Sequence, residues 1–267
     1  MRTSLLIPCY NEAEGIPNLC QRLRELVPLM DRSGGVEILF VDDGSTDGTA
    51  EVIGTHAQGL PYRILTHERN RGLGAALKTG MAASTGMEMV TMDSDCTFDP
   101  MFIPDMLRDL RKGYDIVTAS PYHPLGRVIG VPGWRLLLSK TVSRIYGFIL
   151  PQRLYSYTSC FRAYRRDIIP LLKGESDDFL CVTQFLISAI LRGARVAEFP
   201  TSLTKRQFGQ SKIKILEVIW SHLKYISQVA RETVSLRVRG SSYPVRVAVA
   251  EVESISQSPE LRRDRAF

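Results

Sequence analysis

Met89-Val90-Thr91-Met92-Asp93-Ser94-Asp95 is a short apolar run that ends in two carboxylates one residue apart. The run reads as a buried strand over 87–92, and residues two apart on an extended chain point to the same side. Asp93 and Asp95 can therefore converge on one hard cation. A divalent ion held by one or two carboxylates, with its other positions open, is a common grip on a diphosphate. An isolated Asp-x-Asp is more often a pair of solvated acids, so the sequence before it decides the reading.

That sequence alternates apolar runs with helical patterns. Strands are expected at 4–7, 36–41, 62–65, 87–92 and 115–119, and helices at 16–30, 46–56, 74–83 and 100–111. This alternation implies a mixed α/β fold: a doubly wound, largely parallel sheet flanked by helices. Ligands then bind beyond the carboxyl ends of the strands. Pro8, Asp42, Asp43, Asp93 and Asp95 all fall at such ends. The second half is less regular. A Pro/Gly-rich loop is expected over 120–134, helices over 134–150 and 178–192, a strand at 196–199 and a basic loop at 205–212. An amphipathic helix follows over 213–231, with polar positions recurring at spacings of three and four. It is expected either to cover the sheet or to lie on a membrane interface, with Trp220 and Tyr225 near the headgroups. Segments 234–239 and 245–252 alternate and are expected to pair as a hairpin, before a disordered polar tail over 254–267. The expected division is one domain over 1–233 and a C-terminal extension over 234–267.

The 267 residues suffice for one large α/β domain or two small ones. The net charge of +6 is spread along the chain. It suits a phosphate-bearing substrate or an anionic membrane surface. No tract concentrates basic residues among aromatics, so no nucleic-acid partner is expected. Cys9, Cys20, Cys96, Cys160 and Cys181 are scattered, which suggests a reducing compartment and thiols used as small apolar residues. Leu5-Leu6-Ile7 is too short for a signal-peptide core, and no stretch approaches the roughly 18 apolar residues that cross a bilayer. The expectation is a cytoplasmic protein, at most peripheral on the membrane face, with no transmembrane anchor of its own.

Two further motifs close the first and second strands. In Ile7-Pro8-Cys9-Tyr10-Asn11-Glu12 the proline is expected to stop the ladder and leave Tyr10 and Glu12 exposed at the sheet edge. In Phe40-Val41-Asp42-Asp43-Gly44-Ser45-Thr46-Asp47-Gly48-Thr49, Thr46 or Asp47 suits a helix cap. The adjacent acids Asp42 and Asp43 suit a base N–H or ribose hydroxyls.

Taken in order, Pro-Cys-Tyr-Asn-Glu, Val-Asp-Asp-Gly-Ser-Thr-Asp-Gly-Thr, Glu68-Arg69-Asn70-Arg71-Gly72-Leu73-Gly74 and Asp93-Ser94-Asp95 resemble the family 2 glycosyltransferases over residues 3–120. Within that family the chain is similar to dolichol- or polyprenyl-phosphate sugar transferases. Ser159 to Arg166 resembles their Ser-Gly-Phe-Arg-x-Tyr-Arg segment. Glu198-Phe199-Pro200 with Arg206-Gln207-Phe208-Gly209-Gln210-Ser211-Lys212 resembles their Glu-x-Pro and Arg-x-x-Gly-x-Ser-Lys loop. The resemblance implies a GT-A fold. Pro8, Tyr10 and Glu12 would frame the nucleotide of a nucleotide-diphosphosugar donor, with Asp42 or Asp43 on base or ribose. Asp93 and Asp95 would hold Mg²⁺ or Mn²⁺ against the diphosphate, with Asp95 and Arg206 catalytic. Arg162, Arg206 and Lys212 would meet phosphate on the acceptor or donor, Arg162 being alternatively a structural ion-pair partner.

Several positions depart from the pattern. Thr97 replaces a frequent Gln, Cys160 a Gly and Gln184 a frequent Glu, and Ser120-Pro121-Tyr122-His123-Pro124 lacks a usual arginine. A hydroxyl acceptor needs a general base, for which Asp177 and Asp178 are candidates, although both also suit the start of a helix. A phosphate monoester, with a second pKa of about 6, needs only positive charge to position it. The expected activity is metal-dependent, inverting transfer of a hexose to polyprenyl phosphate at a membrane surface. Transfer to a hydroxyl acceptor, and a non-catalytic nucleotide-sugar-binding homologue, are the alternatives.

Overall fold

The computed structural model describes residues 1–31, 34–209 and 215–238. Strand β1 (Thr3–Cys9) leads to helix α1 (Ile16–Asp31), β2 (Val36–Asp42) to α2 (Thr49–His56) and β3 (Tyr62–Thr66) to α3 (Leu73–Ala83). Then come β4 (Glu88–Thr91), α4 (Ile103–Arg111), β5 (Ile116–Ser120) and β6 (Arg127–Ile129). The second half contributes α5 (Gly133–Ile149), β7 (Arg162–Arg165), α6 (Leu180–Ile190), β8 (Val196–Pro200), β9 (Ser202–Thr204) and α7 (Ile215–Val238).

Among the described residues the main sheet has seven strands in the order β3-β2-β1-β4-β7-β5-β8. Only β7 runs antiparallel to its neighbours. Every residue of β1 and β2 is buried, as expected for strands covered on both faces. Their side chains alternate between two cores. Leu5, Ile7, Ile38, Phe40 and Val90 join α1 and α4 on one face. Leu6, Leu39, Val41 and Met89 join α3 and α6 on the other. The mixed, largely parallel sheet expected from the sequence is therefore present.

The chain differs from the sequence reading at identifiable places. The segment at 162–165 supplies β7, which was not anticipated because two of its four residues are arginines. The 120–134 loop contains β6, which pairs in parallel with β9, a second unanticipated strand. Helix α2 starts at Thr49 rather than Thr46, because residues 46–48 are tied to the first loop instead. The Thr46 N–H donates to Asn11 Oδ1 at 2.8 Å, and Gly48 takes a φ of +82°. Residues 100–102 form a 3-10 turn capped by Asp99, whose Oδ1 accepts the Met101 N–H at 3.0 Å. Residues 234–238, expected as a hairpin strand, continue α7 across the anticipated domain boundary. The second hairpin segment and the tail lie outside the described residues.

Candidate active site

The strand order reverses between β1 and β4, which makes that gap the switch point of the sheet. Pro8 sits there. Leu6 and Pro8 share a parity, and the Leu6 carbonyl accepts from the Met92 N–H at 3.1 Å, so Pro8 also faces β4. It has no N–H to offer, and the β1–β4 register ends at Leu6–Thr91. On the other side β1 keeps pairing with β2 through Cys9. Proline thus ends one ladder and leaves the other intact, opening a crevice at the carboxyl ends of β1 and β4.

Acids crowd this crevice. Asp93 and Asp95 lie in the turn after β4, not on the strand, so the turn rather than strand alternation brings them together. Cys96 closes that turn with a φ of +53°. Glu12 is not exposed as expected, but buried beside them. Arg206 joins the two sides: its Nε donates to Asp95 Oδ2 at 2.9 Å and its Nη2 to Glu12 Oε1 at 2.8 Å. The other oxygen of Asp95 accepts from the N–H and hydroxyl of Thr97 at 3.0 and 2.9 Å. Thr97, marked by sequence only as a departure from family pattern, therefore aims Asp95. Burial, followed by the adjacent Asp95 charge, pushes the Asp93 carboxyl up to about 7, against the pull of Arg206. An acid so disfavoured as an anion is one a cation would relieve. The all-oxygen donor set suits Mg²⁺ or Mn²⁺. Among the described residues no three His, Cys, Asp or Glu side chains form a ready-made cage. Asp93 and Asp95 would hold such an ion in part, with water and diphosphate completing its shell.

The adjacent loops are bolted together. The N–H groups of Asn11, Glu12 and Ala13 donate to Ser45, Thr49 and Asp47 at 2.9, 2.9 and 3.1 Å. Asp42 Oδ1 accepts the Ser45 N–H at 3.2 Å. Asp43 is buried with both oxygens engaged: Oδ1 by His67 Nδ1 at 2.6 Å and the Arg71 N–H at 2.9 Å, Oδ2 by the Gly72 N–H at 2.7 Å. His67 Nε2 in turn meets Thr79 Oγ1 at 2.9 Å. Asp43 thus acts as an internal brace, and His67, which carried no expected role, completes it. Gly44 and Gly72 permit the close packing. Both have positive φ, and a Cβ would meet the Arg69 carbonyl carbon at 2.3 Å or the Asp177 carbonyl oxygen at 2.2 Å. Tyr10 is half-buried at the crevice edge.

The family model described as "Glycosyl transferase family 2" matches residues 4–171. The chain belongs to glycosyl transferase family 2. Polyprenol monophosphomannose synthase of Mycolicibacterium smegmatis is 34% identical over 220 residues, covering 79% of this chain and 81% of that protein. Undecaprenyl-phosphate mannosyltransferase of Micrococcus luteus is 32% identical over 222 residues, covering 80% and 88%. Glucosyl-3-phosphoglycerate synthase of Mycobacterium tuberculosis, solved with Mn²⁺, UDP and phosphoglyceric acid, superposes with a TM-score of 0.64 at 20% identity, over 87% of this chain and 78% of that one. The chain is a glycosyltransferase of the GT-A fold.

In the second half of this glycosyltransferase the expected phosphate ligands fare differently. Arg162 is 0% exposed, which rules out its expected role at an acceptor phosphate. Its parity on β7 turns it into the α6-side core. There its guanidinium donates to Thr118 Oγ1 at 3.1 Å, to the Tyr157 carbonyl at 2.6 Å and to the Val182 carbonyl. The alternative of an ion-pair partner also fails, since carbonyls rather than a carboxylate receive it. Lys212 lies outside the described residues. Asp177 pairs with Lys78 at 2.8 Å, and Asp178 Oδ1 accepts the Leu180 N–H at 2.7 Å at the start of α6. Gln184 accepts the Ser176 N–H at 2.9 Å and so steadies the same loop. All five cysteines are free. Cys9 lies in the core and Cys96 packs against it.

Two outcomes follow from this geometry. Arg162→Met should lower stability in urea unfolding by on the order of 3 kcal/mol, because three buried acceptors each lose a hydrogen bond from a charged donor. For Asp93, a folded pKa near 7 exceeds an unfolded value of about 3.9, so the cation-free folded state binds extra protons between them. The stability of the cation-free protein should therefore fall as pH rises through that window. Mn²⁺ should raise the melting temperature more at pH 7.5 than at pH 5.5, and Asp93→Asn should flatten the difference in a thermal-unfolding series.

Proposed function

We propose that this enzyme transfers a hexose, mannose by similarity to its named relatives, from a nucleotide-diphosphosugar to a polyprenyl phosphate with inversion at the anomeric carbon. The observation that carries this reading is the set of acids around Arg206 at the switch-point crevice, beside an acceptor half whose two candidate bases are both engaged. Asp177 and Asp178, the two candidate bases, are engaged by Lys78 and by the Leu180 N–H. A phosphate acceptor is already ionised at neutral pH and needs positioning rather than deprotonation.

Glu12, Tyr10 and Asp42 edge the crevice where a nucleotide would lie, and Pro8 keeps that crevice open. Asp93 and Asp95 would hold a divalent cation, which when bound neutralises charge on the departing diphosphate. Thr97 fixes which oxygen of Asp95 faces the crevice. Arg206 stands where it can reach a diphosphate oxygen. The acceptor oxygen would approach from the opposite face as the anomeric carbon gains oxocarbenium character.

A second observation supports a membrane-borne acceptor. Trp134, Leu137, Thr141, Arg144 and Phe148 form one exposed stripe of α5, with Phe148 76% exposed. On α7, Trp220 is 66% exposed and Leu223 is also exposed, whereas Tyr225, expected at the headgroups, is buried in the core. The two helices touch through Tyr146 and His222, whose Oη and Nδ1 are 3.1 Å apart. Cations accompany the exposed rings: Arg135 at 5.3 Å from Trp134, Arg153 at 5.8 Å from Phe148 and Lys224 at 6.0 Å from Trp220. Aromatic rings beside basic groups suit an anionic bilayer interface. No described helix is long and apolar enough to cross a membrane.

Asp95→Asn should reduce transfer by on the order of 10³-fold with the fold intact, measured as sugar released from donor to lipid phosphate with Mn²⁺ present. Near-normal turnover would remove Asp95 from the site. Trp134→Ala with Phe148→Ala should weaken sedimentation with phosphatidylglycerol vesicles by about tenfold or more. Unchanged binding would move the membrane face elsewhere.

A further inference from the structure

The segment 203–209 crosses the crevice from one wall to the other. Its root lies beside Asp95: the Thr204 N–H donates to the Thr97 carbonyl at 2.9 Å, and Leu203 bridges to Phe98. Its tip rests on the turn after β1. There the Gly209 N–H donates to Glu14 Oε2 at 3.1 Å, and an added Cβ on Gly15 would lie 3.7 Å from Phe208 Cβ. Between root and tip, Arg206 ties Asp95 on the β4 side to Glu12 on the β1 side. Thr97 acts twice at the root, since it holds Asp95 Oδ1 and its carbonyl anchors Thr204.

Asp95 therefore has one oxygen engaged by Thr97 and the other by Arg206. A hard cation sits about 2.1 Å from a ligating oxygen. With Arg206 Nε at 2.9 Å from Asp95 Oδ2, an ion on that oxygen would stand close to the guanidinium, and the two positive charges would repel. The ion and the arginine compete for one carboxylate oxygen.

We propose that Arg206 is an exchangeable latch: it clamps Glu12 to Asp95 across the crevice until a divalent cation displaces it and frees the 205–209 strap. The freed guanidinium is then available to the donor diphosphate, so cation loading and strap opening are one event. This rests on Asp93 and Asp95 being the cation's ligands.

The test uses the full chain, Mn²⁺ without nucleotide, and two readouts other than activity. Free Mn²⁺ is followed by electron paramagnetic resonance, and amide exchange of 203–209 by mass spectrometry. In the wild-type protein Mn²⁺ should speed exchange at 205–209 severalfold, Gly209 included. In Arg206→Gln that segment should exchange fast from the start and ignore Mn²⁺. The variant should also bind Mn²⁺ about tenfold more tightly, the equivalent of one charge-assisted hydrogen bond no longer displaced. Mn²⁺ binding to the wild type with unchanged or slowed exchange overturns the latch and leaves the cation's ligands standing. Weaker Mn²⁺ binding by the variant likewise overturns it. Absence of binding by both proteins overturns the latch together with the cation assignment. The wild-type exchange arm stands independently of the variant's folding.

Discussion

Carboxylates repel one another, and this chain gathers Glu12, Asp93 and Asp95 at the carboxyl ends of two neighbouring strands. The strain is visible in Asp93, whose carboxyl is pushed up to about 7 by burial and by Asp95. Arg206 relieves part of it from the far end of the sequence, bonding Asp95 and Glu12 directly. A site that strains against its own charge is poised for a divalent cation and the diphosphate the cation accompanies. Much of the local architecture serves to keep these acids where electrostatics would scatter them.

Holding them takes rigid loops. The turn after β1 is fixed by main-chain donors to Ser45, Asp47 and Thr49. Asp43 binds His67 and two N–H groups of the following loop, which packs through Gly72 on the Asp177 carbonyl. Lys78 and Gln184 secure the 176–177 segment from the α3 and α6 sides. A continuous set of hydrogen bonds thus links the turn after β1 to the loop before α6. Asp43, Asp47, Asp177 and Asp178, outside the crevice, each hold a neighbouring loop or side chain.

Much of this was legible along the chain. Strand–helix alternation indicated the sheet, because the period of an apolar pattern is a local property. Acids after apolar runs indicated where ligands go, because parallel strands deliver their carboxyl ends to one edge. The misplaced elements were those whose cues are not local. Strand β7 carries two arginines and pairs with β4 and β5, both far away in sequence. The last residues of α7 alternate like a strand yet continue a helix. Arg162 was expected at a phosphate because its segment resembles a family motif. Only the parity of β7 turned it inward, where carbonyls of distant segments receive it.

The sequence by itself determined that a largely parallel α/β sheet would present paired acids at its edge, and which motifs mark the family. Those are statements about composition and spacing, and local sterics enforce them. Tertiary structure alone decided what each charge does. Asp43 became a brace and Asp95 a ligand candidate, although both are acids at strand ends. Arg206 became a partner of Glu12, 194 residues away, whereas Arg162 became a core strut. The reason is physical: a charged group's role depends on its partners and on the water left around it, and both are set by segments that meet only when the chain has folded.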